Sequence, residues 1–434
     1  MPGAIPNGGA GAFMEQTILS IFLVLFALQF AIELGLNELN LRHVGASFAR
    51  KAIPDAFRGK IDPQDYAKSI EYTWTNGRFQ RWSETYGSAI LLGLLLSGSL
   101  GLVDQWSGQL AGNISLGRYG QGIIFCFAVG AIFMLTGLPT ELYSTFGIEA
   151  KFGFNKTTIG LYLSDKLKGL VLSLVIGAPF LLVVLWLMDI MGRASWLWAF
   201  AFISAFQLLM IVIFPTFITP WFNKFEPLKE GELRQRILAL AQQIGFKTSG
   251  IYSMDGSKRS AHSNAYFTGI GTAKRIVLFD TLIDQMSTAQ GLAVLAHEMG
   301  HYKMKHIHRM LLVQAIFLFG ALYILSWLVG YPPFFAAFGL APSNHGALVL
   351  FALVCGPFTF YLAPLMNRLS RKHEYEADRF AAITLRDGTA MADALINLTV
   401  KNLSNLTPHP WYSAYHYSHP TAVERISAIR RLPL

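Results

Sequence analysis

Seven apolar runs set the first constraint on what this chain can fold into: Ile18–Leu36, Ala89–Val103, Gly122–Leu138, Leu170–Met191, Trp196–Ile218, Met310–Val329 and Ala347–Leu365. A helix needs about 20 predominantly apolar residues to cross the hydrocarbon core of a bilayer, and each run meets or approaches that length. Gly, Ser and Pro inside them are tolerable because neighbouring helices re-satisfy the backbone. The expected fold class is therefore an all-α multi-pass membrane protein with seven transmembrane helices. Composition agrees: 53% of the residues are hydrophobic and only 14% charged, whereas a soluble domain carries roughly 25% charged residues. Residues 1–16, rich in Gly and Pro at the start, read as a disordered tail, and residues 17–218 as spans one to five with their cytosolic loops. No secretory signal peptide is evident, since the first run lacks a basic leader and Glu15 precedes it. Cys126 and Cys355 fall inside apolar runs and read as buried thiols, neither a disulfide nor a metal pair.

The basic residues choose an orientation. Arg42, Arg50, Lys51, Arg58, Lys60, Lys68, Arg78 and Arg81 follow span one, and Lys151, Lys156, Lys166 and Lys168 follow span three. The segments 219–309 and 367–434 hold nearly all the rest, while the alternate loops carry only Arg118 and Arg193. The net charge of +9 thus marks membrane topology and the lipid bilayer as a partner, with no nucleic acid expected. Positive-inside logic puts the amino terminus outside and both long segments in the cytosol. Spans six and seven occupy 310–366 between them.

Within 219–309, Glu230–Ile244 reads as an amphipathic helix, and Gly250–Asp255, Ser263–Thr268 and Arg275–Ile283 as short strands. The last two are joined by the turn Gly269-Ile270-Gly271. Ser287-Thr288-Ala289-Gln290 is a capping box that opens a helix carrying His297-Glu298-Met299-Gly300-His301. On that helix His297 and His301 share a face and can reach one zinc ion, with Glu298 beside a zinc-bound water as general base. This is the requirement of zinc-assisted peptide hydrolysis. The bare motif is also compatible with a helix whose His and Glu merely face solvent. Its capped helix, its membrane setting and a third ligand downstream argue otherwise. That ligand is sought in Glu374-Tyr375-Glu376-Ala377-Asp378: Glu374 is assigned to zinc and Asp378, four residues on, to orienting a ligand imidazole. Glu376 reads as a solvated charge beside Lys372 and Arg379. His373 is a weaker substitute ligand, and His306 and His308, too close to the motif to fold back on the same zinc, mark the cytosolic start of span six. A strand edge beside such a helix suits an extended peptide bound by strand addition.

Six blocks then follow one another in order: Asn-Lys-Phe-Glu-Pro-Leu (223–228), Gly-Ser-Lys-Arg-Ser-Ala-His-Ser-Asn-Ala-Tyr-Phe (256–267), Arg-Ile-Val-Leu-Phe-Asp-Thr-Leu (275–282), the His-Glu-Met-Gly-His motif, Glu-Tyr-Glu-Ala-Asp and Ser-His-Pro-Thr-Ala-Val-Glu-Arg (418–425). Together with Phe146–Glu149 and Gly153–Lys156 they resemble the integral-membrane zinc CaaX prenyl proteases, the type I family. The resemblance runs from about span one to the end. It implies seven helices enclosing a water-filled chamber, with a small α+β metalloprotease part (gluzincin-like) whose single zinc per chain faces into it. It implies His297, His301 and Glu374 as ligands and Glu298 as base. Asn264 would hold the substrate backbone, and His419 and Arg425 would stabilise an oxyanion. The implied substrate is a peptide or protein, prenylated at a Cys-a-a-X tail and cut after the cysteine. The charged insert some animal members carry before the zinc helix is absent, and Arg431-Leu432-Pro433-Leu434 is no dibasic retrieval signal. Both favour a bacterial inner membrane over the endoplasmic reticulum. Two other readings stand beside this one: a quality-control membrane metalloprotease, which typically has fewer spans, and a multi-span scaffold with structural zinc, which would need a fourth protein ligand.

Overall fold

The computed structural model describes residues 8–50, 53–268 and 274–433. The first helix runs Gly8–Ala49, 42 residues, or about 63 Å at 1.5 Å per residue, roughly twice the ~30 Å hydrocarbon thickness. Residues 8–16 of the expected disordered tail are therefore helical, while residues 1–7 lie outside the described residues. Once the apolar run has formed a helix, each residue added in front gains a hydrogen bond without a new nucleus. The basic segment after span one is mostly helix too. Asp62 accepts from the Gln64 amide (2.7 Å) and Pro63 takes the first helical position, opening Pro63–Leu96.

Five described helices are long and apolar enough to cross a membrane: Gly11–Ala49, Gly117–Phe152, Ile159–Ile190, Ser195–Trp221 and His306–Leu328. A sixth crossing arises if Pro63–Leu96 and Ser99–Asn113, bent by 65° against each other, count as one. The bend falls in the middle of the expected second span because Gly98 sits at φ +76°, outside the helical region. The expected seventh span does not form as one helix. Asn344–Val354 has only 11 residues, about 16 Å. Two prolines at the starts of Gly356–Phe360 and Ala363–Leu385, Pro357 and Pro364, remove the amides that would have continued it.

Four strands form one sheet in the order β1 (Phe225–Pro227), β2 (Gly250–Met254), β4 (Arg275–Phe279), β3 (Ala265–Thr268). The expected hairpin is present, with Tyr266 opposite Val277 in the antiparallel β3–β4 pair; its Gly269-Ile270-Gly271 turn lies outside the described residues. β4 ends at Phe279, earlier than expected, because Asp280 begins a short helix to Gln285. β2 lies parallel to β4, and β1 adds antiparallel to β2. β1 was not anticipated: three residues have no periodicity, and Pro227, which has no N–H to donate, confines it to an edge. β3 is the other edge.

Two cores result. One holds Phe22, Leu95, Leu100, Phe125, Phe335 and Leu350 among the apolar helices. The other holds Ile237, Ile276, Leu295, Met299, Ala381 and Ile426 around the sheet, and Val44, Tyr66 and Ile70 of the first two helices pack into it as well.

Candidate functional site

The helix Thr288–Lys303 begins at the anticipated capping box, with the Ser287 hydroxyl accepting from the Gln290 amide and the Gln290 side chain accepting from the Ser287 amide. It packs closely on Ala363–Leu385. The approach depends on Gly300, where a Cβ would stand 3.1 Å from Ala377 Cα and 3.3 Å from its carbonyl oxygen. With no side chain at 300, the two backbones come near enough for Glu374 to face both histidines.

The resulting trio is tight. Nε2 of His301 is 3.1 Å from Nε2 of His297. Glu374 places Oε1 3.2 Å from His301 Nε2 and Oε2 3.5 Å from His297 Nε2. Ligand atoms at about 2.0–2.1 Å around a tetrahedral ion stand about 3.3–3.4 Å apart, so these spacings are those of three corners of a zinc tetrahedron. The hydrogen-bonding state agrees. Two imidazole nitrogens 3.1 Å apart can share only one proton between them, and the buried Glu374 Oε2 accepts no hydrogen bond. Such a set of lone pairs fits a divalent cation.

Asp378 holds His297 from behind, Oδ1 lying 2.8 Å from Nδ1. That contact puts the proton on Nδ1 and leaves Nε2 free to ligate. Arg425, on the helix Ala422–Arg430, donates to both Asp378 oxygens through Nε (2.7 Å) and Nη2 (2.6 Å), and its Nη1 lies 3.2 Å from Glu374 Oε2. Burial works to raise the Glu374 carboxyl, but the adjacent His297 and His301 imidazoles and the charge of Arg425 hold it well below the usual carboxylate range. Burial would depress His297, yet its hydrogen bond to Asp378 and the nearby Glu374 carboxylate push it up to about 9. Surroundings that favour a proton on this imidazole favour a metal cation there equally. Glu298 is shifted upward by burial, against the pull of His297 and His301, in the direction that suits a general base.

His419 reaches the same trio from the other side, its Nε2 3.4 Å from Glu374 Oε1 and its Nδ1 2.9 Å from the Ser418 hydroxyl. It lines a cavity of about 600 Å³ together with Arg425, Tyr72, Asn76, Asn402 and Tyr417. Asn264 sits exposed just ahead of β3, its side-chain oxygen accepting from the Ala265 amide (2.8 Å) and its carbonyl from the Phe279 amide (3.0 Å).

Residues 45–224 match the family "CAAX prenyl protease N-terminal, five membrane helices", and residues 227–432 match "Peptidase family M48". CAAX prenyl protease 1 of Saccharomyces cerevisiae is 36% identical over 400 residues, covering 87% of this chain and 88% of that protein. The Homo sapiens homologue is 32% identical over 423 residues, covering 88% and 89%. The crystal structure of S. mikatae Ste24p superposes with a TM-score of 0.87 at 33% identity, covering 99% of this chain and all of that one. The chain belongs to the CAAX prenyl protease 1 family. It is an integral-membrane metalloendopeptidase.

In this family member the structure gathers His297, His301, Glu374, Asp378, Arg425 and His419 into one cluster. Two neighbours were not foreseen. His306 is buried, its Nδ1 3.0 Å from His301 Nδ1, and Glu376 accepts from it at 2.9 Å. Glu376 is thus the partner of a buried imidazole and not the solvated charge expected from the sequence. His306 reaches this position because Lys305, at φ +58°, breaks the helix in the left-handed region and turns the next one back.

Proposed function

We propose that the chain is a one-zinc endopeptidase acting on the C-terminal tails of prenylated Cys-a-a-X substrates, as the names of its relatives imply. The observation that carries this reading is the trio of ligand atoms at tetrahedral spacing with Glu298 one residue from the first of them. His297, His301 and Glu374 would hold the zinc ion, which when bound would acidify a water and polarise the scissile carbonyl. Glu298 takes the proton of the attacking water and returns it to the leaving amine. Asp378 keeps His297 in its ligating tautomer. His419 donates to the developing oxyanion. Arg425 contributes there through Nη1 alone, since Nε and Nη2 are committed to Asp378. The substrate lies extended along the open edge of β3 with Asn264 fixing its register.

We infer further that the chain crosses the membrane seven times. The bent pair then serves as the second crossing, and the broken segment from Asn344 to the start of Ala363–Leu385 as the seventh. The alternation of basic loops supports that count and a cytosolic side for residues 219–309 and 367–434, read as the metalloprotease part. A water-filled interior is supported by the polar groups carried on the apolar helices: Gln29, Glu33 and Glu84 line a cavity of about 260 Å³, and His416 lies 3.3 Å from Glu33. Such groups at membrane depth face water or one another.

The test is cleavage of a farnesylated Cys-a-a-X peptide beside its unprenylated twin, with and without a zinc chelator, by the chain and by Glu298→Ala. Prenyl-dependent, chelator-sensitive cleavage after the cysteine, lost in Glu298→Ala, is expected. Equal cleavage of both peptides would replace this reading with a general membrane protease.

A further inference from the structure

The short stretch Glu374–Asp378 provides one metal-ligand candidate and one carboxylate behind His297, and it also provides a carboxylate behind His301. The chain of contacts runs His301 Nδ1 to His306 Nδ1 at 3.0 Å and His306 Nε2 to Glu376 Oε2 at 2.9 Å. If His301 ligates through Nε2, its proton must sit on Nδ1 and be donated to His306. His306 then accepts at Nδ1, so its own proton sits on Nε2 and is donated to Glu376. Every tautomer in the chain is settled by the first. Glu376 is held in turn by Arg309 at 3.6 Å and Lys372 at 3.8 Å. His373 stacks on His306, ring centroids 4.1 Å apart and planes within 13°, which sets the plane in which His306 meets His301.

We propose that His306 and Glu376 are positioning residues for the metal site, a carboxylate–imidazole relay that orients His301 as Asp378 orients His297. The inference rests on the zinc reading above. A competing use of the same residues is a second cation held by His306, His373 and Glu376, whose ligand atoms lie within 4.8 Å of one another. The stacking argues against it. In nearly parallel rings the in-plane lone pairs run side by side and do not converge on one point, and His306 Nε2 is already engaged with Glu376.

The experiment measures zinc affinity of the full detergent-solubilised chain by chelator competition, with zinc content per chain and the visible spectrum of the cobalt-substituted protein. Partners of this kind are worth about 10–100-fold in metal affinity. His306→Phe, which keeps the stack and removes both nitrogens, should weaken zinc binding by about that factor and alter the cobalt spectrum. His306→Asn, whose side-chain oxygen can take the proton of His301 Nδ1, should recover most of the loss. Glu376→Leu should weaken binding less than His306→Phe, and the double variant no more than His306→Phe alone. Glu376 is only partly buried, so its variants test the relay even if the His306 variants fold poorly. Unchanged zinc affinity in folded His306→Phe and Glu376→Leu would overturn the relay. Two zinc ions in the parent chain, with one lost in Glu376→Leu, would overturn it in favour of the second cation site. A parent chain that binds no zinc would instead overturn the zinc reading itself.

Discussion

Phe22 and Val44 lie on one helix, about 33 Å apart along its axis, and pack into different cores. Phe22 meets Phe338 edge-on (5.6 Å) among apolar helices that remain largely unburied, while Val44 is fully enclosed in the core of the catalytic part. The two surroundings obey different rules. Around Phe22 the lipid is as apolar as the packing partners, so helix association rests on van der Waals fit and a few polar contacts. Around Val44 water is the alternative, so burial itself drives folding. Two continuous helices tie the catalytic part to the membrane part, since Pro63–Leu96 likewise sends Tyr66 and Ile70 into one core and Leu95 into the other.

The largest expected effect separates the regions by function. Glu298→Ala should lower peptidase turnover by about 10²–10⁴-fold and leave zinc content, the thermal midpoint and Phe22 packing unchanged. A variant that retained a tenth of the activity would remove Glu298 from the role of base. Next in size is the pair on the shared helix. Phe22→Ala should cost about 3–5 kcal/mol by the standard of buried aromatic truncations in water-soluble cores, and less if lipid tails fill the gap. Val44→Ala should cost about 2 kcal/mol, two methyl groups with no lipid to replace them. Hydrogen exchange reads the difference directly: Val44→Ala should speed exchange in Thr288–Lys303 and the sheet, and Phe22→Ala only in the apolar helices. Faster exchange of the sheet in Phe22→Ala would show that the cores are one cooperative unit.

The same contrast explains what was legible in the sequence. The catalytic helices carry strong local signals: the Ser287 box with its Gln290 partner, the four-residue spacing of His297 and His301, and the Glu374–Asp378 pair all stand on the expected faces. In the membrane part, averaged hydropathy finds apolar stretches but is blind to a single backbone angle. The left-handed Gly98 splits the expected second span and the prolines at 357 and 364 divide the expected seventh, within stretches that are apolar on average. His306 escaped for a related reason. Its return onto His301 follows from the positive φ of Lys305, a conformation that no pattern of lysines announces. β1 owes its existence to its partner β2 and not to its own three residues.

Gly300→Ala tests how sharply the catalytic part is defined by close packing. Alanine gains about 1 kcal/mol of helix propensity over glycine, but the new methyl meets Ala377 backbone atoms at 3.1 and 3.3 Å that cannot rotate away. Overpacking of this kind costs about 1–3 kcal/mol. The expected outcome is a lowered thermal midpoint together with weaker zinc binding, because separating the two helices moves Glu374 away from both imidazoles. A stabilised variant with unchanged zinc affinity would show that the helices have room to part.

The smallest effect concerns a polar seam that joins the two regions apart from the shared helices. The Phe154 ring stacks on His262 at 4.0 Å, Ala261 donates to the Phe154 carbonyl, and Arg259 grips Asp165 through Nε and Nη2 at 2.8 and 3.0 Å. His262 also meets Asn402 Oδ1 at 2.9 Å and Glu149 Oε2 at 3.4 Å. Its hydrogen bond to Glu149, against the opposing effect of burial and with help from Asn402, raises its pKa above the ordinary 6.5. A histidine raised in the folded state contributes stability that is fully present below the unfolded value and is lost as pH rises through the folded one. The seam should therefore be firmest below about pH 6.5 and loosen as pH climbs past the raised pKa. Hydrogen exchange around Phe154 and Ala261 should quicken over that window, beyond its intrinsic pH dependence, and His262→Gln should flatten the change. Because Phe22 and Val44 titrate nothing, exchange at the two apolar cores should show no such step. A step of equal size in both cores would mean that the seam, and not the shared helices, governs how the regions are held together.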